Sequence, residues 1–443
     1  MQIPPSPVRP LLKKLLVRGL DAVDARKAVG RAISRSGNEL VIGRRRYDLR
    51  RYERVVVLGA GKATASMAQA VEQRLGSWVH DGFIVVKYGH ALPTKRIVVA
   101  EAGHPVPDRS GQRAAARLCA LAAEHSWRDL LIVLLSGGAS SLLPAPVSGI
   151  SLADKQQTTQ LLLRCGASIG EINTIRKHLS TIKGGRLAEL TEATVVTLIL
   201  SDVLGDDISA IASGPTVPDP TTYQEAVAIV KHYRMWRAIP QSVRQHLDRG
   251  CQGLAEETPK PGASLFRRVH HHIVGNNIAA VMAVARAARE AGLRTLVHKQ
   301  VLTGEASEEG RRFGALAKNI VRAGNPLQRP CCVVAGGETT VTVTGKGTGG
   351  RAQEFAAAAA LEIAGLDKVW VAAIGTDGTD GPTDAAGAVV DGHTMARAQR
   401  LSVDLKGALK RHNTYPALKR LNQLIVTGPT GTNVNDLYLL LAL

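Results

Sequence analysis

The sequence predicts an α/β protein of two domains, each built on a mainly parallel sheet. Runs such as 130–135 and 194–200 have the length of strands and are apolar throughout, which is typical of parallel strands covered on both faces. These runs alternate with helical patterns, and the alternation resumes after a break near residue 255. The chain of 443 residues is also longer than one hydrophobic core usually supports.

The hydrophobic period places each element. Strands are predicted over 54–58, 82–87, 97–100, 130–135, 194–200, 270–274, 294–301, 331–335, 339–344 and 369–374. Helices are predicted over 11–33, 63–75, 109–124, 278–291 and 305–323, twice within 152–190, and from residue 351. The segment 241–267 loses periodicity and contains Glu256–Gly262, whose composition is that of a linker. We therefore expect domains at 1–255 and 256–443.

Composition favours a cytoplasmic protein. No apolar run is long enough to span a membrane, and Lys13 and Lys14 interrupt the early Leu-rich segment, which argues against a secretion signal. The five Cys residues are an odd number and form no C-x-x-C motif, which indicates free thiols. We expect no membrane partner.

The net charge of +19 raises the possibility of nucleic-acid binding. The basic residues are, however, spread along the chain, with one local cluster at Arg44–Arg46 and Arg50–Arg51, and no aromatic residues are interleaved with them. We expect no nucleic-acid partner and interpret the charge as a general aid to binding anionic substrates.

A glycine-rich turn with a lysine joins the first parallel strand to a helix. It is not a Walker A loop, because Val56 stands where glycine is required, and Thr64 replaces the third glycine of a dinucleotide fingerprint. Gly59 and Gly61 would let a ligand approach the backbone, the helix N-terminus attracts anions, and Lys62 adds a mobile charge. A plain turn with an exposed lysine explains the motif equally well.

A second loop of small residues follows the strand at 130–135. Ser136, Gly137, Gly138 and Ser140 offer backbone N–H groups and hydroxyls for a phosphate or a carboxylate. A serine nucleophile is not indicated, because the G-x-S-x-G motif is absent.

Acidic residues follow two further strands. Asp202 comes after the strand at 194–200, where an Asp most often forms a turn. Asp377 lies in the loop Gly375–Gly387, which is rich in Gly, Thr and Asp, and we expect Asp380 and Asp384 to shape that loop. Carboxylates at the ends of strands are candidate ligands for a divalent cation near a phosphate.

Polar side chains on other segments complete the candidate set. Asn173, Arg176 and Lys177 are predicted on one exposed face of a helix, as a clamp for a carboxylate or phosphate or as solvated surface. Glu338 follows a strand. Arg351 begins a helix, an unfavourable place for a cation unless an anion is near.

The last two features are a polar loop near the end of the sequence and a run of three histidines. Asn433 and Asn435 lie in a polar loop before the last apolar run. The consecutive residues His270–His272 would point to alternate faces of a strand, so a zinc site is not indicated.

These motifs, taken in order, resemble those of the MOFRL-type glycerate kinases over nearly the whole chain. The matching segments are Gly59–Ala63, Gly103–Asp108, Ser136–Ser140, Asn173–Ser180, Lys183–Gly185, Ser201–Val203, Ser213–Pro215, Gly336–Glu338, Gly350–Glu354, Gly375–Gly387 and Gly431–Asp436. Each segment alone is a weak signal, and their shared order makes chance resemblance improbable.

The resemblance implies ATP-dependent phosphorylation of D-glycerate to 2-phosphoglycerate with Mg²⁺. It also implies two Rossmann-like domains with the active site in the cleft between them. The family's important lysine and arginine correspond to Lys62 and Arg351. Small-molecule substrates are the expected partners, and a monomer and a homodimer are equally compatible with the sequence.

We assign roles to the candidates as hypotheses. Lys62 and Arg351 would neutralise the transferring phosphate. The acidic candidates for holding Mg²⁺ or taking the substrate proton are Asp202, Asp377 and Glu338. The expected ATP-binding residues are Gly59, Gly61, Ser136, Gly137, Gly138, Ser140, Asn433 and Asn435, and the expected substrate-binding residues are Asn173, Arg176, Lys177 and Glu338. An NAD(P)H-dependent hydroxypyruvate reductase is the alternative function, weakened by the incomplete fingerprint at Gly59.

Overall fold

A computed structural model describes residues 1–443. Its helices are α1 (Arg9–Val23), α2 (Ala25–Ala32), α3 (Thr64–Leu75), α4 (Arg109–Ala123), α5 (Ala139–Leu142), α6 (Leu152–Arg164), α7 (Ile169–His178), α8 (Arg186–Glu189), α9 (Tyr223–His232), α10 (Gln241–Cys251), α11 (Asn277–Glu290), α12 (Ala306–Ala323), α13 (Arg351–Glu362), α14 (Thr394–Arg400), α15 (Leu405–Lys410) and α16 (Thr414–Arg420). No helix combines the length and apolar character needed to cross a bilayer.

The strands alternate with these helices along much of the chain. They are β1 (Ile33–Ser36), β2 (Glu39–Ile42), β3 (Arg45–Asp48), β4 (Arg54–Ala60), β5 (Val79–Lys87), β6 (Val98–Ala102), β7 (Asp129–Leu135), β8 (Thr194–Leu200), β9 (Val269–Gly275), β10 (Arg294–Val297), β11 (Leu302–Glu305), β12 (Cys331–Thr340), β13 (Val369–Gly375), β14 (Gly387–Asp391), β15 (Leu424–Ile425) and β16 (Asp436–Ala442). The predicted α/β class is confirmed.

The chain forms two compact units whose limits differ from the expected boundary after residue 255. One unit is Ala25–Val274, and the other combines Met1–Asp24 with Gly275–Leu443. The first unit extends beyond residue 255 because β9 is the outermost strand of its sheet. The segment 1–24 belongs with the second unit because α1 packs against α11.

Several helices and strands of the structure differ from those predicted from the sequence. The single helix expected over 11–33 is wrong, because the backbone turns out of the helix at Asp24, where ψ is 122°. The segment expected to lack periodicity begins with α10. The strands β1, β2 and β3 form a small antiparallel sheet that the sequence pattern did not predict.

The large sheet of the Ala25–Val274 unit has the order β6-β5-β4-β7-β8-β9. The pairings of β4 with β5 and β7, of β5 with β6, and of β7 with β8 are all parallel. This is the strand order of the six-stranded dinucleotide-binding fold, in which the order reverses between the first and fourth strands. Here the strand order reverses between β4 and β7. Ligands of such sheets bind at this switch point, outside the carboxyl ends of the strands.

The sheet of the second unit is mixed. Its order is β10-β12-β16-β13-β14-β15, with β11 also pairing with β12. Only β10 and β11 run parallel to β12, whereas β16 is antiparallel to both β12 and β13. The expectation of a mainly parallel sheet is therefore wrong for this unit. β16 lies between β12 and β13, both of which precede it in the sequence, and it runs in the opposite direction to both.

Candidate functional site

The loops at the switch point of the parallel sheet are joined to each other. The Lys62 N–H donates to the Gly137 carbonyl at 2.9 Å, and the Ala63 N–H donates to Ser136 Oγ at 3.1 Å. Ser136 Oγ also lies 3.2 Å from Thr64 Oγ1. Ser136 is buried, so its hydroxyl serves the start of α3 and the fit between the loops.

Glycine is required at two places in these loops. Gly61 has a φ of 140°, and a Cβ on it would lie 2.1 Å from Ser136 Oγ. Gly138 has a φ of 89°, and a Cβ there would lie 2.8 Å from His104 Cδ2. Both glycines therefore permit a positive φ and a close approach between loops.

Lys62 provides a positive charge at these loops. It is half-buried, and no hydrogen bond or ion pair holds its ammonium group. Burial, and then the charge of Lys62, lowers the pKa of His104 to about 4. The histidine is therefore neutral near pH 7, and the lysine provides the positive charge beside it.

Asp202 lies at the same edge of this sheet. It follows β8, the neighbour of β7, and is half-buried. Because the carboxyl ends of parallel strands share an edge, the structure brings Asp202 to the edge that carries the Lys62 and Ser136 loops.

The predicted exposed face of α7 is wrong for two of its three residues. Asn173 and Lys177 are buried. Asn173 Oδ1 accepts from Ser213 Oγ at 3.0 Å, and Lys177 Nζ lies 3.2 Å from Asp219 Oδ1. These side chains are held by partners within the protein, whereas Arg176 lines a cavity.

That cavity has a volume of about 340 Å³. It lies beside the switch-point loops, and Gly138 and Ser140 form part of its wall. Lys155 and Lys183 also line it, and neither was among the predicted site residues. The motif Lys183–Gly185 was the only signal in the sequence, since both lysines occur in segments where lysine is usually surface.

In the second unit, Arg351 is held by two carboxylates. Its Nη1 lies 2.6 Å from Glu338 Oε1, and its Nε lies 2.7 Å from Asp436 Oδ2. Burial opposes the charge of Arg351, but Asp436 and Glu338 raise its pKa above the ordinary value. The anion expected near the start of α13 is thus supplied by the protein itself. Asp436 was not predicted, because it lies 85 residues away in sequence.

In the loop Gly375–Gly387, Asp377 and Asp384 each have one carboxylate oxygen without a partner, and of these two only Asp377 lines the cavity described below. Asp377 Oδ1 accepts from the N–H and the hydroxyl of Thr379, each at 3.1 Å, and Oδ2 has no partner. Asp380 instead accepts from the N–H groups of Ala352 and Gln353 at the start of α13. Asp384 accepts from Tyr415.

A cavity of about 640 Å³ lies between this loop and the glycine-rich segment before α13. Asp377 and Arg351 line it, together with Glu354 and His412. Glu354 Oε1 and His412 Nδ1 lie 2.9 Å apart, so these two are paired with each other. The cavity brings together Arg351 and Asp377 from the predicted set.

The predicted ATP-binding residues are divided between the two units. Asn433 and Asn435 belong to the unit of Asp377, whereas Gly59 and Ser136 belong to the other. Asn435 is buried, with a φ of 64°, and its carbonyl accepts from the N–H and hydroxyl of Thr376. Asn433 Oδ1 accepts from the Asn435 N–H at 3.3 Å. Both asparagines shape the loop before β16.

No three His, Cys, Asp or Glu side chains come together as a metal site. Asp202, Asp377 and Glu338 were predicted as alternatives for holding Mg²⁺ or taking the substrate proton, and Glu338 is paired with Arg351. Mg²⁺ bound with a nucleotide commonly takes only one or two protein carboxylates, however. The unused oxygen of Asp377 fits that requirement.

Comparison with known proteins assigns the family. A model of the MOFRL family matches residues 331–436, and a model of a domain of unknown function, DUF4147, matches residues 11–248. A glycerate 2-kinase of Pyrococcus horikoshii is 42% identical over 431 residues, which cover 97% of this chain and 96% of the relative. The chain belongs to the MOFRL-type glycerate kinase family. The resemblance predicted from the motifs is confirmed.

The fold of this family member is shared with a solved structure. The crystal structure of a glycerate kinase from Thermotoga maritima has a TM-score of 0.88 and 38% sequence identity, with 99% of this chain and 100% of that chain covered. A protein of Agrobacterium vitis, 44% identical over 87% of this chain and 86% of its own, is provisionally named a hydroxypyruvate reductase.

Proposed function

We propose that this protein transfers the γ-phosphoryl group of ATP to the 2-hydroxyl of D-glycerate, which gives 2-phosphoglycerate and ADP. The enzyme class predicted from the sequence, a glycerate 2-kinase, is confirmed by the names of relatives that match nearly the full chain. The structural observation that carries the proposal is the unpartnered Lys62 ammonium at the switch point of the parallel sheet.

Phosphoryl transfer depends mainly on positioning and on neutralising the transferring charge. The ammonium group of Lys62 has no protein partner and can therefore pair with a phosphate. The guanidinium of Arg351 has five N–H donors, and its contacts with Glu338 and Asp436 use three of them. The remaining donors are available to a phosphate oxygen, while the carboxylates fix the orientation of the group.

A carboxylate must accept the proton of the substrate hydroxyl. We assign this role to Asp202, at the sheet edge that carries Lys62. We assign Asp377 to Mg²⁺ because its Oδ2 has no partner and it lines the same cavity as Arg351. When bound with ATP, Mg²⁺ would supply charge neutralisation at the phosphates. The proposal also includes an active site in the cleft between the domains. It further includes a cytoplasmic location and a monomeric or homodimeric state.

Two assays on the full chain test this function against its alternative. The first measures ADP release from ATP, Mg²⁺ and D-glycerate, with phosphorus NMR to identify the phosphorylated hydroxyl. The second measures NADH or NADPH oxidation with hydroxypyruvate. We expect turnover only in the first assay, with 2-phosphoglycerate as product. Reductase activity without ADP release would overturn the proposal, and 3-phosphoglycerate as product would overturn its regiochemistry.

A further inference from the structure

The 340 Å³ cavity beside the switch-point loops contains three cationic side chains. Lys155 comes from α6, Arg176 from α7, and Lys183 from the turn before α8, and all three line the cavity. Lys155 is 7% exposed and Lys183 is 2% exposed. Burial of a charged group is unfavourable unless an opposite charge compensates it.

The partners of these cations are neutral. Lys155 Nζ donates to the Leu179 carbonyl at 3.0 Å. Lys183 Nζ donates to Ser140 Oγ at 2.8 Å and to the carbonyls of Ser140 and Ala212. No Asp or Glu lies within ion-pair distance of either lysine or of Arg176. No carboxylate therefore compensates the charged form of either buried lysine.

Lys177 shows the usual arrangement in the same unit. It is also buried, but its ammonium lies 3.2 Å from the buried Asp219 carboxylate. The contrast indicates that the fold supplies a counter-charge where a lysine has a structural role and omits it around the cavity.

The three cations are close enough to repel one another. Burial, followed by the charge of Arg176, lowers the pKa of Lys155 to about 7. Burial, followed by Lys155 and Arg176, lowers the pKa of Lys183 well below its ordinary value. An anion that enters the cavity would relieve this repulsion and favour the charged form of both lysines.

We infer that this cavity binds the anionic groups of the three-carbon acid, and that its phosphorylated form binds more tightly than the acid itself. The inference rests on the proposed function and identifies the subsite for the acid. D-glycerate carries one negative charge, whereas a phosphate monoester adds about 1.5 to 2 more at pH 7. The cluster thus matches the charge of the product better than that of the substrate.

The size and the wall of the cavity support a small ligand. Its volume is at the lower end of the roughly 300–1,000 Å³ range of ligand pockets. Val106, Pro144 and Leu152 form an apolar part of the wall, which lowers the local dielectric and strengthens attraction to an anion. Ser140 and Ser141 also line the cavity, but Ser141 Oγ donates to the Gly138 carbonyl and Ser140 Oγ accepts from Lys183, so the donors for the oxygens of the ligand are the cationic side chains.

Direct binding to the full chain without ATP tests the inference. Isothermal calorimetry would measure the dissociation constants of D-glycerate, 2-phosphoglycerate and inorganic phosphate. We expect 2-phosphoglycerate to bind at least tenfold more tightly than D-glycerate, and phosphate to compete with it. Lys155→Met and Lys183→Met should each weaken binding of 2-phosphoglycerate at least tenfold and that of D-glycerate less. Arg164→Met, which removes an exposed cation from the same helix as Lys155, should leave both constants unchanged.

A second measurement separates binding from folding. Circular dichroism and thermal unfolding would show whether each variant is folded, and Lys155→Arg and Lys183→Arg keep the charge if a Met variant does not fold. Equal binding of acid and product, or unchanged product binding in the folded variants, would overturn the inference. Failure of the proposed function would appear separately, as absence of ADP release by the unsubstituted protein.

Discussion

Arg351 and Asp436 form a two-point ion pair, with Nε 2.7 Å from Oδ2 and Nη2 3.0 Å from Oδ1. The pair joins the first residue of α13 to the first residue of β16. Asp436 is almost fully buried, and Tyr438 also donates to Oδ2. A residue predicted to act in catalysis therefore also compensates a buried charge.

Replacement of Arg351 should lower stability as well as turnover. Arg351→Ala leaves the Asp436 carboxylate without its cation, and we expect a loss of about 3–5 kcal/mol in the free energy of unfolding. Arg351→Lys keeps the charge but cannot reproduce the two-point contact, so its loss should be smaller. Urea unfolding measures both. The exposed pair of Arg411 and Asp404 provides the control, because Arg411→Ala should change stability by less than about 1 kcal/mol. Equal effects of the two alanine variants would contradict the prediction.

Lys62 should show the opposite behaviour. Its ammonium has no partner within the protein, so Lys62→Ala should leave the unfolding midpoint nearly unchanged. Loss of one cation at the transferring phosphate should lower kcat about 10²- to 10³-fold. Steady-state ADP release measures this, and Lys95→Ala, at an exposed position, is the control. Near-normal turnover of the Lys62 variant would remove the residue from the mechanism.

Lys177 and Asp219 allow a test of the sequence-based assignment of Lys177 to the substrate. Because the pair is buried, Lys177→Met should destabilise the protein by about 3–5 kcal/mol. The KM for D-glycerate should change by less than about twofold. The exposed pair of Arg46 and Glu39 offers the comparison, since Arg46→Met should cost about 1 kcal/mol or less. A large rise in KM without loss of stability would restore the original assignment.

Glu257 should contribute to acid sensitivity. Burial raises the pKa of Glu257, but the His178 ring and the N–H groups of Thr258 and Tyr223 together lower it from 4.5 to about 2. A lowered pKa in the folded state stabilises the protein above pH 4.5, and this stabilisation is lost as pH falls from 4.5 towards 2.

The size of that effect is reduced by the partial exposure of Glu257. We expect a contribution on the order of 1–2 kcal/mol, since about a third of the side chain is exposed. Unfolding measured at pH 6 and pH 3 should show a smaller difference for Glu257→Gln than for the unsubstituted protein. An identical pH dependence in both proteins would show that the Glu257 carboxylate does not contribute to the acid sensitivity of the free energy of unfolding.

The parallel half of the fold was predictable because its signals are local. The runs that became β4, β7 and β8 are apolar throughout, and each is followed by small or acidic residues at the sheet edge. The position of β16 was not predictable in this way. A strand's own period does not show that it will enter between β12 and β13 and make that sheet mixed.

The sequence predicted which residues belong to the candidate site better than it predicted which partners those residues contact. Lys62 and Asp377 lie in loops, where the flanking glycines indicate a ligand-facing turn. The ion pairs of Lys177 and Arg351 could not be predicted, because their partners Asp219 and Asp436 are 42 and 85 residues away in the sequence. A charged residue on a helix is usually exposed, so burial through a distant partner leaves no trace in the periodicity.

The position of β16 bears on the order in which the polypeptide can fold during synthesis. Residues 25–274 form a continuous segment, so their unit has all its strands before translation reaches the second sheet. The sheet of the other unit cannot be completed until Asp436–Ala442 has been made, because that strand lies between β12 and β13. Until β16 joins them, β12 and β13 each expose an unpaired edge, so this unit is most vulnerable to edge-to-edge aggregation before that strand is in place.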